Sequence, residues 1–179
     1  MPIADPREFA ARAARVQMIV FDIDGVLTDG SINLTSDGVE IKCYNVRDGF
    51  AIKAWMTLGQ TVGILTGRGG PAVSARMQEL GITHVIERSK DKGADIERLA
   101  AQAGIALEEV AFMGDDWPDA PAMRMVGVAI APADAVPEIR AIAHLVTAAA
   151  GGRGAAREAV EHLIEARSEL AGLRARYDL

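Results

Sequence analysis

Asp22, Asp24 and Asp29 crowd the segment FDIDGVLTDG, residues 21–30, directly behind the apolar residues Val16, Met18, Ile19 and Val20. Carboxylates this close repel one another and resist burial, so a strand that ends on them needs something to offset the cost. A bound cation would do it, and so would a solvated turn. The pattern recurs in VAFMGDD, where an apolar run ends on Asp115 and Asp116, while TVGILT brings Thr66 and Arg68 to a third strand end. The metal donors on offer at these ends are all oxygens. Cys43, the single cysteine, and the three histidines lie elsewhere, which disfavours zinc and leaves magnesium as the natural hard cation.

Magnesium takes one or two carboxylates, some waters and a phosphate oxygen. Asp22 and Asp115 can supply the carboxylates. A carboxylate can also attack phosphorus to give an aspartyl-phosphate. Asp24, two residues on, can protonate a leaving oxygen and later activate water. Thr66 and the backbone N–H groups after it lie where a helix begins, which reads as an anion site. Lys92, near the start of the following helix, can neutralise both phosphate and carboxylates.

The elements that must position these groups alternate strand with helix. A first helix spans residues 5–15, with Asp5 as cap and Pro6 in the first turn. QMIVFD, TVGILT, THVIE, VAFMGDD and VGVAIA read as buried strands, and AHLVT as a last short one. Helices follow over DGFAIKAWMTLG, capped by Asp48 and closed by Gly59, over residues 71–80, over Asp91 to Ala103, over residues 121–126 and over residues 155–171. SINLTSDGVEIKCYNV instead shows two short alternating runs around Ser36-Asp37-Gly38, a hairpin signal. The alternation predicts an α/β fold, a Rossmann-like parallel sheet flanked by helices, with a small hairpin insert at residues 31–44 and no large cap domain. In such sheets ligands bind beyond the carboxyl ends of the strands. All three sets of polar strand ends fall on that edge.

DIDGVLTDG, LTGR, Lys92 and GDDWPD resemble, in order and spacing, the four motifs of the haloacid dehalogenase superfamily of phosphohydrolases. NVRDGF, LTGR, LGITHV and GGRGAARE extend the likeness to the 3-deoxy-D-manno-octulosonate 8-phosphate phosphatase family, over residues 18–165. The resemblance implies a magnesium-dependent phosphatase acting on a sugar-acid phosphate in lipopolysaccharide precursor synthesis. It implies Asp22 as nucleophile and metal ligand. Asp24 becomes the general acid/base, with its backbone carbonyl on the metal. Thr66 and Lys92 would hold the phosphoryl group, and Asp115 is the third metal contact. Asp116 and Asp119 would orient the magnesium waters. Asn45, Val46, Arg47, Asp48 and Gly49 match the substrate loop, and Arg68 and Arg76 the substrate cations. Arg153 reaches in from the glycine-rich tail, residues 150–179. The resemblance further implies a homotetramer whose hairpins help to close neighbouring sites.

Departures accompany the match. Lys53 stands where relatives often carry arginine, keeping the charge without the bidentate fork. Trp117-Pro118 follows GDD, and Gly69-Gly70-Pro71 lacks the basic residues of some relatives. These positions bear on substrate choice. A nonulosonate 9-phosphate, sialic-acid-like, is the alternative substrate, and a non-catalytic oligomeric module regulating a nucleotidyltransferase is the alternative of another class.

Composition sets the outer bounds. The 179 residues suit a single domain, half of them hydrophobic and a quarter charged, with a net charge of -6. That balance argues against nucleic acid or an anionic membrane as partner, so an anionic substrate must be drawn by local cations. One cysteine precludes an internal disulfide and fits a cytoplasmic setting. The first residues mix acids and bases without the apolar core of a signal peptide.

Overall fold

The structure, a computed structural model, describes residues 6–179. Asp5, expected to cap the first helix, lies outside the described residues. Six strands form one parallel sheet in the order β5-β4-β1-β6-β7-β8. They are β1 (Met18–Phe21), β4 (Thr61–Leu65), β5 (His84–Ile86), β6 (Val110–Met113), β7 (Val128–Ala131) and β8 (Leu145–Val146). A separate two-stranded hairpin joins β2 (Asn33–Leu34) to β3 (Glu40–Ile41).

The uniform apolarity of β1 has a direct cause. Its residues alternate between two cores: Ile19 and Phe21 face one helical layer, Met18 and Val20 the other. A strand buried on both faces needs apolar residues throughout. The first layer holds α1 (Pro6–Ala13), α2 (Val46–Thr57), α3 (Pro71–Leu80) and α7 (Ala155–Ala166). The second holds α4 (Lys92–Ala103), α5 (Ala120–Met125) and α6 (Pro137–Ile142). Trp55 of α2 is fully buried and donates its indole N–H to the Thr61 carbonyl at 3.0 Å, tying α2 to the start of β4. Among the described residues no large cap domain interrupts the sheet, and the insert after β1 is the hairpin alone.

Three local expectations change. Asn45, not Asp48, caps α2, its side chain accepting from the Arg47 N–H at 2.8 Å. The helix expected over 155–171 breaks after Ala166, Ser168 takes a left-handed conformation, and α8 (Leu170–Ala175) follows. Residues 150–179, read as a tail, contribute α7 to the core, where Ala156, Val160 and Leu163 are fully buried.

Candidate active site

From β1 the chain winds outward through β4 and β5, then returns to lay β6 on the other side of β1. The order reverses between β1 and β6, which is where open α/β sheets form a ligand crevice. Asp22 follows β1 and Asp115 follows β6 on these paired strands. A cleft of about 280 Å³ opens there, and Asp22, Asp24, Thr66, Arg68, Lys92 and Asp115 all line it, with Asp116 and Asp119 at one wall.

Asp22 is buried. One carboxylate oxygen accepts from the Ile23 N–H at 2.7 Å, and the other pairs with the Lys92 ammonium at 2.8 Å. Carboxylate oxygens of Asp22, Asp115 and Asp119 lie within 4.8 Å of one another. Burial, then the neighbouring Asp119, pushes the Asp22 carboxyl up to about 6 against the pull of Lys92. Burial and the Asp119 and Asp22 charges push Asp115 further, to about 8. Burial opposes the charge on Lys92, but the Asp22 and Asp119 carboxylates outweigh it and hold its pKa above the usual value. One ammonium among three carboxylates leaves an excess of negative charge that a divalent cation would relieve, and the donors are the hard oxygens that magnesium prefers.

Asp119 holds the wall together. One of its oxygens bonds Lys92, while the other accepts from the Asp115 and Asp116 N–H groups at 2.9 and 3.2 Å. Asp116 is exposed and caps the short turn that Trp117 begins, accepting from its N–H at 2.8 Å. Gly25, at φ +87°, passes so close that a Cβ there would sit 2.1 Å from an Asp115 oxygen. The glycine of the DIDG motif thus makes room for the second strand end.

Helix α3 begins only at Pro71, beyond Thr66 and the N–H groups expected to meet an anion, and its own head is otherwise engaged. At the head of α3, Glu87 accepts from the Gly70 N–H and the Ser74 hydroxyl, each at 3.0 Å. What faces the cleft is the loop before it, Thr66 to Arg68. Backbone bonds from Arg88 to the Arg68 carbonyl and from Ser89 to the Thr66 carbonyl hold that loop.

The residues matched to the substrate loop are distributed differently. Asp48 is buried and accepts from the Arg157 N–H at 2.8 Å, so it supplies the N-terminal cap that α7 lacks in its own sequence. Burial raises its pKa. Asn45, Asp48, Gly49 and Arg76 line a small internal cavity apart from the cleft. A Cβ on Gly49 would meet the Arg76 guanidinium at 2.2 Å, and Arg76 also lies 5.7 Å from the Tyr44 ring. Val46, Arg47 and Lys53 point to solvent. Arg153 is exposed and pairs with Asp29 of its own chain at 3.4 Å. The glycines before it are packed, not loose: a Cβ on Gly151 would fall 1.9 Å from the Gly25 carbonyl oxygen, and Gly152 donates to the Val26 carbonyl at 2.9 Å.

Two residues missed in the sequence also reach this region. Glu40 pairs with Arg68 at 2.7 Å, and Lys42, its side chain only 2% exposed, bonds Asp24. The alternation in VEIKCY carried that signal. Val39, Ile41 and Cys43 are exposed, while Glu40, Lys42 and Tyr44 turn inward. The hairpin is inverted, with a polar face toward the protein and an apolar face toward solvent.

Comparison with known proteins agrees with this geometry. A family model described as haloacid dehalogenase-like hydrolase matches residues 81–158. The 3-deoxy-D-manno-octulosonate 8-phosphate phosphatase of Yersinia pestis is 40% identical over 171 residues, 96% of this chain and 90% of that protein. The crystal structure of the Moraxella catarrhalis phosphatase of the same name, in complex with magnesium ion, phosphate ion and a KDO molecule, superposes with a TM-score of 0.94 at 34% identity, covering 97% of this chain and 99% of that one. The cobalt-bound deoxy-D-mannose-octulosonate 8-phosphate phosphatase of Haemophilus influenzae gives 0.87 at 33% identity, covering 89% and 94%. With relatives this similar along nearly its whole length and the same fold, the chain belongs to the haloacid dehalogenase-like hydrolases.

Proposed function

We propose that the protein is a magnesium-dependent phosphatase that hydrolyses 3-deoxy-D-manno-octulosonate 8-phosphate to the free sugar acid and phosphate. The observation that carries this reading is the buried Asp22, held on Lys92 at 2.8 Å with the Asp115 and Asp119 carboxylates within 4.8 Å. The named relatives supply the substrate. Asp22 and Asp115, with the Asp24 backbone carbonyl, are the groups that would hold magnesium. Bound there, the ion would neutralise the carboxylates and the transferring phosphoryl oxygens.

Asp22 then attacks phosphorus, the bond to the sugar oxygen breaks, and Asp24 delivers a proton to that oxygen. In the second half Asp24 takes a proton from water, which attacks the aspartyl-phosphate and releases phosphate and Asp22. Lys92 and Thr66 hold the phosphoryl group throughout. Asp119 positions Lys92, and Asp116 shapes the turn at the metal side. Arg68, at the cleft mouth, meets the sugar-acid carboxylate, and Arg153 contacts the far end of the sugar. Asn45, Asp48, Gly49 and Arg76 act indirectly by fixing the start of α2. Val46, Arg47 and Lys53 face outward, where a neighbouring subunit would meet them. Ile32, Leu34, Val39 and Ile41 are each at least 50% exposed, an apolar face that a homotetramer would cover. The cytoplasmic setting rests on the lone cysteine. Among the described residues, no helix is long and apolar enough to cross a membrane.

Phosphate release from the octulosonate 8-phosphate, a nonulosonate 9-phosphate and p-nitrophenyl phosphate, each with magnesium and with EDTA, tests the reading. The octulosonate ester should give the highest kcat/KM, and EDTA should abolish turnover. Preference for the nonulosonate ester would change the substrate. Metal-independent hydrolysis would overturn the chemistry.

A further inference from the structure

Asp24 follows no strand pairing of its own, and its side chain needs an external anchor to be an effective proton donor. The hairpin supplies one. Lys42, just past β3, is almost entirely shielded from solvent and bonds one Asp24 carboxylate oxygen, Oδ1. The same ammonium lies 3.4 Å from Glu40, which is also bound to Arg68. The second oxygen, Oδ2, is buried and makes no hydrogen bond to any described residue, with the Arg68 Nε 3.6 Å away. The two oxygens are therefore inequivalent. One is fixed by Lys42, and the other, with no hydrogen bond, faces the Arg68 guanidinium at ion-pair distance on the side of the cleft that Arg68 lines.

We propose that Lys42 is a positioning residue: by clamping Oδ1 it leaves Oδ2 of Asp24, the oxygen beside Arg68, to face the leaving oxygen of the phosphate ester. This rests on the reading of Asp24 as the general acid. Lys42 does not touch the phosphoryl group. It acts through Asp24, and Glu40 shares its charge so that the clamp is not an isolated buried cation beside an acid. A lysine side chain shielded from solvent and held by two carboxylates has lost rotamer freedom, which is what a clamp requires. The polar inward face of the hairpin gains a purpose distinct from its apolar outer face. Whatever orders the hairpin also orders Asp24.

The test separates aim from general support. A proton donor matters more for a poor leaving group than for a good one. Phenyl phosphate and p-nitrophenyl phosphate are small and alike in shape but differ in leaving-group acidity, and kcat/KM reports the first irreversible step. Lys42→Met should lower kcat/KM for phenyl phosphate about tenfold more than for p-nitrophenyl phosphate, the same sign of selectivity as Asp24→Asn. The double variant Lys42→Met/Glu40→Gln, which removes the carboxylate that Lys42 shares with Arg68, should show the same selectivity if the single variant folds poorly. Equal losses on the two esters, or no loss, would overturn the role of Lys42 while Asp24→Asn still shows the selectivity. If Asp24→Asn also loses both esters equally, the general-acid reading falls, and the proposal with it.

Discussion

Asp115→Asn should make the metal-free protein more stable, and only above acidic pH. Among the described residues no ion pair holds the Asp115 carboxylate, and its pKa rises from 3.8 to about 8 in the folded chain. A carboxyl raised on folding keeps its proton in the native state while the unfolded chain has lost it. Stability therefore falls as pH climbs from about 4 toward 8, and levels off beyond. At pH 7 the span from the unfolded value is about three units, a ceiling of ~4 kcal/mol at 1.36 kcal/mol per unit. Partial solvent access to Asp115 lowers this to ~2 kcal/mol. For a chain of this size that corresponds to a gain of ~4–8 °C in Tm. Thermal melts in EDTA at pH 4 and pH 7.5 measure it. The gain should be absent at pH 4 and present at pH 7.5. Magnesium should stabilise the native protein by ~2.7 kcal/mol at a hundredfold excess over Kd, raising its Tm, and do little for the variant. An Asp115→Asn protein that melts at or below the native one in EDTA at pH 7.5, or gains equally at both pH values, would refute the crowded-carboxylate account.

Three further outcomes follow from the same site. Asp22→Asn should fold, keep its core and lose turnover entirely, because the amide is no nucleophile; circular dichroism and phosphate release check both halves. Gly151→Ala should cost about 2–3 kcal/mol in denaturant unfolding and depress activity with it, since its Cβ would collide with the Gly25 carbonyl beneath the nucleophile's turn. Arg153→Ala should raise KM for the sugar-acid phosphate and leave KM for p-nitrophenyl phosphate unchanged, because the small ester does not reach that far. The point substitution is the right probe, as removing residues 150–179 would take α7 out of the core.

The strands and the acid-bearing edge were legible because their signals are local. An apolar run buried on both faces, ending on carboxylates, marks a parallel strand and its crevice with no knowledge of what packs on it. Asp22, Asp24 and Asp115 follow that rule and meet in one cleft with Thr66, from the end of β4, and Lys92, from the start of α4. Asp48 reads as a helix cap from its sequence, but α2 starts earlier, at Val46, and is capped by Asn45. Only the tertiary fold shows that Asp48 turns away to cap α7, more than a hundred residues on. The helix start was placed too early for a similar reason: α3 begins at Pro71, where Glu87, remote in sequence, accepts from the Gly70 N–H, and the loop Thr66 to Arg68 faces the cleft instead. Lys42 was within reach of pattern reading. The inward set Glu40, Lys42 and Tyr44 is as regular as the outward set, but a hairpin with its apolar side outermost contradicts the usual assignment of faces.

The central claim is that Asp22 becomes covalently phosphorylated. Rapid acid quench of the magnesium-loaded enzyme with phosphorus-labelled 3-deoxy-D-manno-octulosonate 8-phosphate, followed by peptide mapping, reads it directly. Label should appear on the peptide carrying Asp22 within the first turnover, at a level that decays when substrate is exhausted. It should be absent from Asp22→Asn. Turnover by the native enzyme with no protein-bound phosphate at any quench time, together with residual turnover in Asp22→Asn, would contradict it.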